Sequence, residues 1–310
     1  MSEYVGFDVS KEETSFCVKD VSGKILSRGK VATDPATLFE ALRDHCVCPS
    51  RIVLETGTLS GWLSRELGKL GIAVDVIDAR QANAVMKLQH NKTDANDAAL
   101  LAEIARTGFC RPVAVKSAAA QEDRILLKAR AHLVRHRRDM QNTIRGLLGS
   151  LGIRFPKGSG KLAGREALEG RPELSTTIEP LLRAAALGRE IAWLDKAVSA
   201  RAKDDPAVRL LMTVPGVGPV TALAVGRDGL FGAHFQTRRF DAARPALRGR
   251  QQLADGGAQG PSAEGLGAPV KKRTSHKKAC VALARKLAVI LHRMLITGEA
   301  FRWPQKEAAA

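Results

Sequence analysis

Four acidic residues have the type and placement to do chemistry. Asp8 stands in GFDVSK (6–11), Glu55 opens ETGTLSGWL (55–63), and Asp94 and Asp97 lie in KTDANDA (92–98). Asp8 is on the first predicted strand and Glu55 ends the fourth. The i, i+3 spacing of Asp94 and Asp97 puts both on one face at the start of a predicted helix. Carboxylates at strand ends and on a helix face can converge at one sheet edge. Several converging carboxylates repel one another unless a hard cation neutralises them, and Mg2+ or Mn2+ meets that need through oxygen ligands. Two such ions can activate an attacking oxygen and stabilise a leaving one at a phosphodiester. Taken singly, each acid also has a structural role open to it. Asp94 or Asp97 fits a helix start, favoured by the macrodipole, Asp8 a strand end and Glu55 a cap. Lys92 beside them is either a phosphate contact or an exposed helix-start lysine.

The elements that must position these acids form an α/β pattern. Apolar runs at 4–9 and 15–19 and a run at 24–31 read as three strands in a meander. A helix over 35–45 follows, with Thr33 or Asp34 as N-cap. Residues 51–54 read as a buried strand, 59–70 as a helix and 72–77 as a further strand. Strands first in a run and then alternating with helices predict an α/β domain.

Helical patterns fill 80–107 and 118–151. In the second, Leu126, Leu133, Met140, Ile144, Leu147 and Leu151 form a heptad-like seam that predicts pairing with another helix. Arginines are interleaved with the seam, and Arg135, Arg137, Arg138 and Arg145 are candidate nucleic-acid contacts; for any one of them a solvated helix face serves equally. The loop at 156–164 contains GSGK but lacks the remaining residues of a phosphate-binding P-loop. A single helix is predicted over 178–203, returning along the first. Residues 210–225 (LLMTVPGVGPVTALAV) read as helix, hairpin, helix. Backbone N–H groups around Gly216 and Gly218 could hold a phosphate there; a plain helical turn is the alternative. Residues 236–273 carry six glycines and only five large apolar side chains, too few to bury much surface. Helical patterning returns at 277–296.

Composition narrows the function classes. The chain has 310 residues, 45% of them apolar, so it can build a real core. Residues 1–112 hold 14 Lys/Arg against 15 Asp/Glu, whereas 113–310 hold 35 against 17. A neutral front half thus carries a strongly basic back half, and such a surface attracts polyanions, nucleic acid above all. Five cysteines without a CxxC fit reduced thiols in a cytoplasmic protein. Cys46 and Cys48 are too close for a usual zinc pair. No apolar run reaches about 18 residues, so no membrane partner is expected.

GFDVSK, ETGTLSGWL and NKTDANDAALLAEIAR (91–106) resemble the DEDD transposases of bacterial insertion sequences, the family numbered one-hundred-and-ten, related to the Piv DNA invertase. NTIRGLLGSLG (142–152) is similar to the end of its coiled-coil segment. LMTVPGVGPVTALAV (211–225) resembles the start of its C-terminal domain, and KKACVALARKLAVILHRM (277–294) the end. The resemblance implies a RuvC-like, RNase H-type domain over 1–112. It implies a basic, antiparallel coiled-coil segment over 113–205 and a mostly helical C-terminal transposase domain over 206–310. It maps the family's metal-binding acids onto Asp8, Glu55, Asp94 and Asp97, with Mg2+ or Mn2+ as cofactor. It implies metal-dependent DNA recombination, with a structured RNA as guide. The seam at 126–151 predicts self-association into a homo-oligomer, since recombination must hold two DNA partners.

The sequence departs from the family between about 230 and 275. The family's Arg-Arg-Tyr-x-Ser-Gly-type motif, whose serine is the proposed nucleophile for strand exchange, is absent, and the chain's one tyrosine is Tyr4. Ser262 and Ser275 lie nearest the expected place without the family context. A deletion or reading-frame shift across 236–273 would account for this. Two alternatives therefore stand beside an active transposase: a catalytically inactive nucleic-acid-binding remnant and a RuvC-like nuclease. An actin-like kinase, which GFDVSK also suggests, would need a second glycine-rich phosphate loop that the helical back half does not offer.

Overall fold

The computed structural model describes residues 2–86, 93–154, 168, 172–228 and 276–302. Lys92, the 156–164 loop, the 236–273 stretch, Ser262 and Ser275 lie outside these residues. The chain divides into two compact units, Met1–Ala118 and Ala119–Ala310.

The first unit is built on five strands: β1 (Glu3–Val9), β2 (Glu13–Lys19), β3 (Ile25–Ala32), β4 (Pro49–Glu55) and β5 (Asp75–Ile77). Their order is β3-β2-β1-β4-β5. The meander β1–β2–β3 is antiparallel, whereas β1–β4 and β4–β5 are parallel. Parallel neighbours need crossovers, and helix α1 (Pro35–His45) and helix α2 (Ser60–Lys69) supply them. Asp34 settles the choice of cap: its carboxylate accepts from the backbone N–H groups of Ala36 and Thr37, ahead of Pro35 in the first turn. Helix α2 stops in a Schellman arrangement. Gly71 takes a φ of 83°, and Ile72 N–H donates to the Leu67 carbonyl at 2.9 Å. The last strand begins later than 72, because only Asp75–Ile77 pair with β4; Ile72 and Val74 pack on the core without joining the ladder.

Side chains alternate between the two faces of this sheet. Val5, Phe7, Phe16, Val18, Ile52 and Leu54 bury against α1 and α2. The opposite face carries helix α4 (Asp94–Thr107), preceded by helix α3 (Ala79–Met86). Here Val53 and Ile77 meet Leu101, Ile104 and Ala105, and Cys17 meets Ala98 and Ala102. At Gly6 the helix backbone lies directly on the strand. A Cβ there would stand 2.2 Å from the Ala102 nitrogen and 2.3 Å from the Ala98 oxygen.

The second unit is helical: α5 (Ala118–Gly149), α6 (Pro172–Ala184), α7 (Gly188–Asp204), α8 (Pro206–Leu211), α9 (Pro219–Asp228) and α10 (His276–Thr297). Two helices stand where one was predicted over 178–203. The first ends at Ala184, the turn closes through Leu187 N–H on the Ala185 carbonyl at 2.9 Å, and Gly188, a poor helix-interior residue, opens the second. Helices α5 and α7 run antiparallel: Arg130 pairs with Asp195 and Arg201 with Asp123, so one sequence rises as the other falls. Leu126 and Leu127 of α5 pack with Val198 and Ala202 of α7, Val208 and Leu211 of α8, Leu223 of α9, and Leu291 of α10.

Of the predicted seam, Leu126 and Ile144 pack on neighbouring helices, whereas its end faces water. Ile144 and Leu148 are fully buried against Ile178 and Leu182 of α6. Leu147 and Leu151 are exposed. A residue repeating every seven positions drifts by about 20° per heptad around a straight helix. Three heptads after Leu126, Leu147 has rotated about 60° off the buried line, and Leu148 takes its place.

Candidate functional site

The site is assembled by pairing, not by proximity in sequence. In the parallel ladder, Gly6 stands opposite Val53 and Phe7 opposite Leu54. One further step brings Asp8 and Glu55 abreast at the C-terminal ends of adjacent strands. Gly6 and Val53 both face α4, and with a period of two Asp8 and Glu55 face it too. Asp8 and Glu55 are half-buried as residues, and one carboxylate oxygen of Glu55 is shut off from solvent. The segment after Glu55 is pinned: Thr56 Oγ1 accepts from Ala79 N–H at 2.9 Å, and Gly57 N–H donates to Ser60 Oγ at 3.1 Å.

Helix α4 starts beside this edge. Thr93 is its N-cap, accepting from Asn96 N–H, so Asp94 and Asp97 occupy the first turn, where the helix dipole favours negative charge. Asp97 is buried and Asp94 exposed. Asp94 faces Lys30, with Nζ 3.6 Å from its carboxylate, and Lys30 also pairs with Glu13 at 2.9 Å. Lys30 stands opposite Ser15, and Ser15 opposite Asp8. The row Lys30–Ser15–Asp8–Glu55 therefore crosses four strands on the α4 face. Sequence reading missed Lys30; its signal is the alternation of β3 against β2, which becomes readable only once the meander register is known. The carboxylate of Glu13, foremost, raises the Lys30 ammonium above its ordinary range.

The donors at this edge are all oxygen, which suits Mg2+ or Mn2+ in kind. Among the described residues, however, no group of three or more His, Cys, Asp or Glu is close enough to hold an ion. The two strand acids are side by side, while Asp94 is engaged with Lys30.

Elsewhere in the first unit, Glu103 of α4 joins Lys19 at 2.9 Å and also Arg106. Arg106 first, then Lys19, holds the Glu103 carboxyl down at about 2. Burial, and then Glu3, pushes the Cys46 thiol up to about 12, leaving it unreactive at neutral pH.

In the second unit, Arg135, Arg137, Arg138 and Arg145 all lie on α5. Arg137 is on the opposite side from Arg135. The Pro215-Gly216 turn has the pattern of type II, with Gly216 at a φ of 81° and Val217 N–H on the Val214 carbonyl at 3.0 Å. Gly218 needs no special conformation; its carbonyl accepts from Ala222 N–H as α9 begins.

Residues 5–153 match the profile of the IS110-type DEDD transposases, a stretch containing all four acids and helix α5. The chain belongs to the DEDD transposases of insertion sequences. It is similar to a probable family 20 transposase of Pseudomonas aeruginosa, 30% identical over 67% of this chain and 64% of the relative, so it spans a little under two thirds of that protein. It is also similar to the transposase for insertion sequence element IS1111A of Coxiella burnetii, 26% identical over 96% of this chain and 91% of the relative. The transposase for insertion sequence element IS1328 of Yersinia enterocolitica is 23% identical over 81% and 75%. Among the described residues of this family member, no helix is long and apolar enough to cross a membrane.

Proposed function

We propose that the chain cuts and rejoins DNA at the ends of a mobile insertion sequence, using a divalent cation at the edge where Asp8 and Glu55 meet the start of α4. The observation that carries this reading is the parallel β1–β4 pair, which sets two carboxylates abreast on the face crossed by Asp94 and Asp97. The strand order β3-β2-β1-β4-β5, with an antiparallel meander and two parallel strands, supports a RuvC-like, RNase H-type domain. Asp8, Glu55, Asp94 and Asp97 would hold Mg2+ or Mn2+. Bound there, the cation would neutralise charge at a phosphodiester and favour the attacking oxygen. The sheet fixes Asp8 and Glu55, and the Thr93 cap fixes where the α4 acids begin. Asp94 would exchange Lys30 for the cation, leaving that ammonium beside the phosphate. The α5–α7 pair supports a coiled-coil middle segment, and self-association and a structured guide RNA complete the reading. The backbone of the Gly216–Gly218 turn would contact phosphate.

The test follows cleavage and joining of the element's own end DNA with Mg2+, with and without the flanking non-coding RNA, beside an Asp8→Ala variant. Metal-dependent joining that vanishes in the variant is the expected result. A second reading, a nucleic-acid-binding remnant without chemistry, draws on the lack of an ion-sized cluster among the described residues. Salt-sensitive DNA binding with no cleavage in Mg2+ or Mn2+ would establish that remnant and overturn the transposase reading.

A further inference from the structure

Helix α5 carries its positive charge in a line. Arg124, Lys128, Ala131, Arg135, Arg138, Asn142 and Arg145 follow one another at steps of four, three, four, three, four and three residues. At 3.6 residues per turn these positions share a band about 100° wide. The band lies opposite Leu126, Leu133 and Ile144, and its Arg145 edge borders the packed side, where Leu127 also meets the core. Lys128, Arg135 and Asn142 are exposed, and Arg124, Arg138 and Arg145 half-exposed.

Among the described residues, one of the helix's own acids meets this band: Asp139, 3.7 Å from Arg138. Glu122 and Asp123 are taken by Arg201 of α7. Arg130, on the packed side, is taken by Asp195. Among the described residues, Arg124, Lys128, Arg135 and Arg145 have no ion pair. From Arg124 to Arg145 the band is about 32 Å long, close to the ~34 Å of one turn of B-form DNA.

We propose that this stripe of α5 is a track for the phosphate backbone of duplex DNA, with Arg124, Lys128, Arg135, Arg138 and Arg145 as phosphate contacts and Arg137 as none. The inference rests on the DNA-processing reading above and names where that DNA lies on the second unit. A second copy of the chain does not fit the stripe, because two such surfaces repel. An apolar segment does not fit either, because covering it would strip water from cations given no partner. Phosphates fit by charge and spacing, and contacts of this type position a duplex without reading its sequence.

The test measures binding of the full chain to a labelled duplex DNA of random sequence, in EDTA so that strand chemistry plays no part, over a range of salt. The stripe variant combines Lys128→Gln, Arg135→Gln and Arg138→Gln. The control variant removes the same charge from exposed positions of α7: Arg189→Gln, Lys196→Gln and Lys203→Gln. Each phosphate contact contributes about 0.9 to the slope of log affinity against log salt. The stripe variant should lose roughly 2.7 of slope and on the order of 100-fold in affinity near 0.15 M salt. The control should lose far less. A charge-keeping variant, Arg135→Lys with Arg138→Lys, should retain the slope and shows that the helix still folds. An unchanged slope in the stripe variant, or an equal loss in the control, overturns the track while leaving the cleavage reading intact. A stripe-dependent slope for duplex RNA but not for DNA of the same sequence overturns its assignment to DNA. Cleavage failing while stripe-dependent DNA binding persists would instead remove the catalytic reading and leave the track standing.

Discussion

The two units of this chain are held together by different means. In the first, one helix lies so close to a strand that backbone meets backbone at Gly6, and a five-stranded ladder fixes every side chain to one face or the other. In the second, helices meet through side chains: a leucine-rich seam, and ion pairs from Arg130 and Arg201 to α7 and α5. The charge divides in the same way, near zero over 1–112 and strongly positive beyond. The proposed carboxylate site, which needs acids held in fixed relation, would sit on the rigid ladder. The proposed phosphate track, which needs only a line of charge, would sit on a long helix. The first arrangement tolerates no extra atoms at its crossing point, and the second tolerates exchange wherever the side chain faces water.

Gly6→Ala should break the comparison most severely. The added carbon meets backbone, which cannot rotate away, so the cost should exceed the ~3 kcal/mol upper range of ordinary overpacking. Denaturant unfolding should show the first unit's transition lost or strongly shifted; a variant within about 1 kcal/mol of the parent would mean that α4 does not lie on β1 as described.

Neighbouring leucines at the end of α5 sharpen it next. Leu148→Ala should cost about 2–5 kcal/mol, because Leu148 is fully buried. Leu147→Ala should cost under about 1 kcal/mol, because that side chain already faces water. Equal costs in thermal or denaturant unfolding would restore the strict heptad seam.

The glycine turn offers a smaller contrast. Gly216→Ala should cost about 1–2 kcal/mol, since its φ of 81° suits no side chain. Gly218→Ala should be near neutral, with nothing within 4 Å of the added carbon. Melting curves of the two variants check this difference.

The smallest effect is one of pH. The Glu103 carboxyl is depressed to about 2 by Arg106 and Lys19, so its stabilisation is complete above its ordinary value of 4.5 and disappears as pH falls towards 2. Glu103→Gln should therefore lower stability at neutral pH and flatten the acid limb across that window. Unfolding midpoints that separate the two proteins more at pH 2 than at pH 7 would reverse the assignment.

Much of the fold was legible because its signals are local. The alternation and apolar runs mark five strands, Thr33 or Asp34 marks the start of α1, and Pro-Gly-Val-Gly marks a hairpin between two helices. The four acids were also legible as residues, being placed on strand ends and a helix start. Their mutual placement was not, because nothing local states that β4 pairs with β1 rather than with β3. The break at 185–187 is not legible in the sequence, because the apolar period continues across it, and a period reports a face without reporting continuity.

By itself, then, the sequence determined most of the element types, their order and the abundance of positive charge on α5, since each depends on residues a few positions apart. Only the tertiary structure decided that Asp8 and Glu55 stand abreast on the α4 face, that Lys30 reaches Asp94, and that Leu148 rather than Leu147 is buried. Those outcomes depend on strand register and on the drift of a helix against its partner. Both are fixed by contacts between segments far apart in the chain.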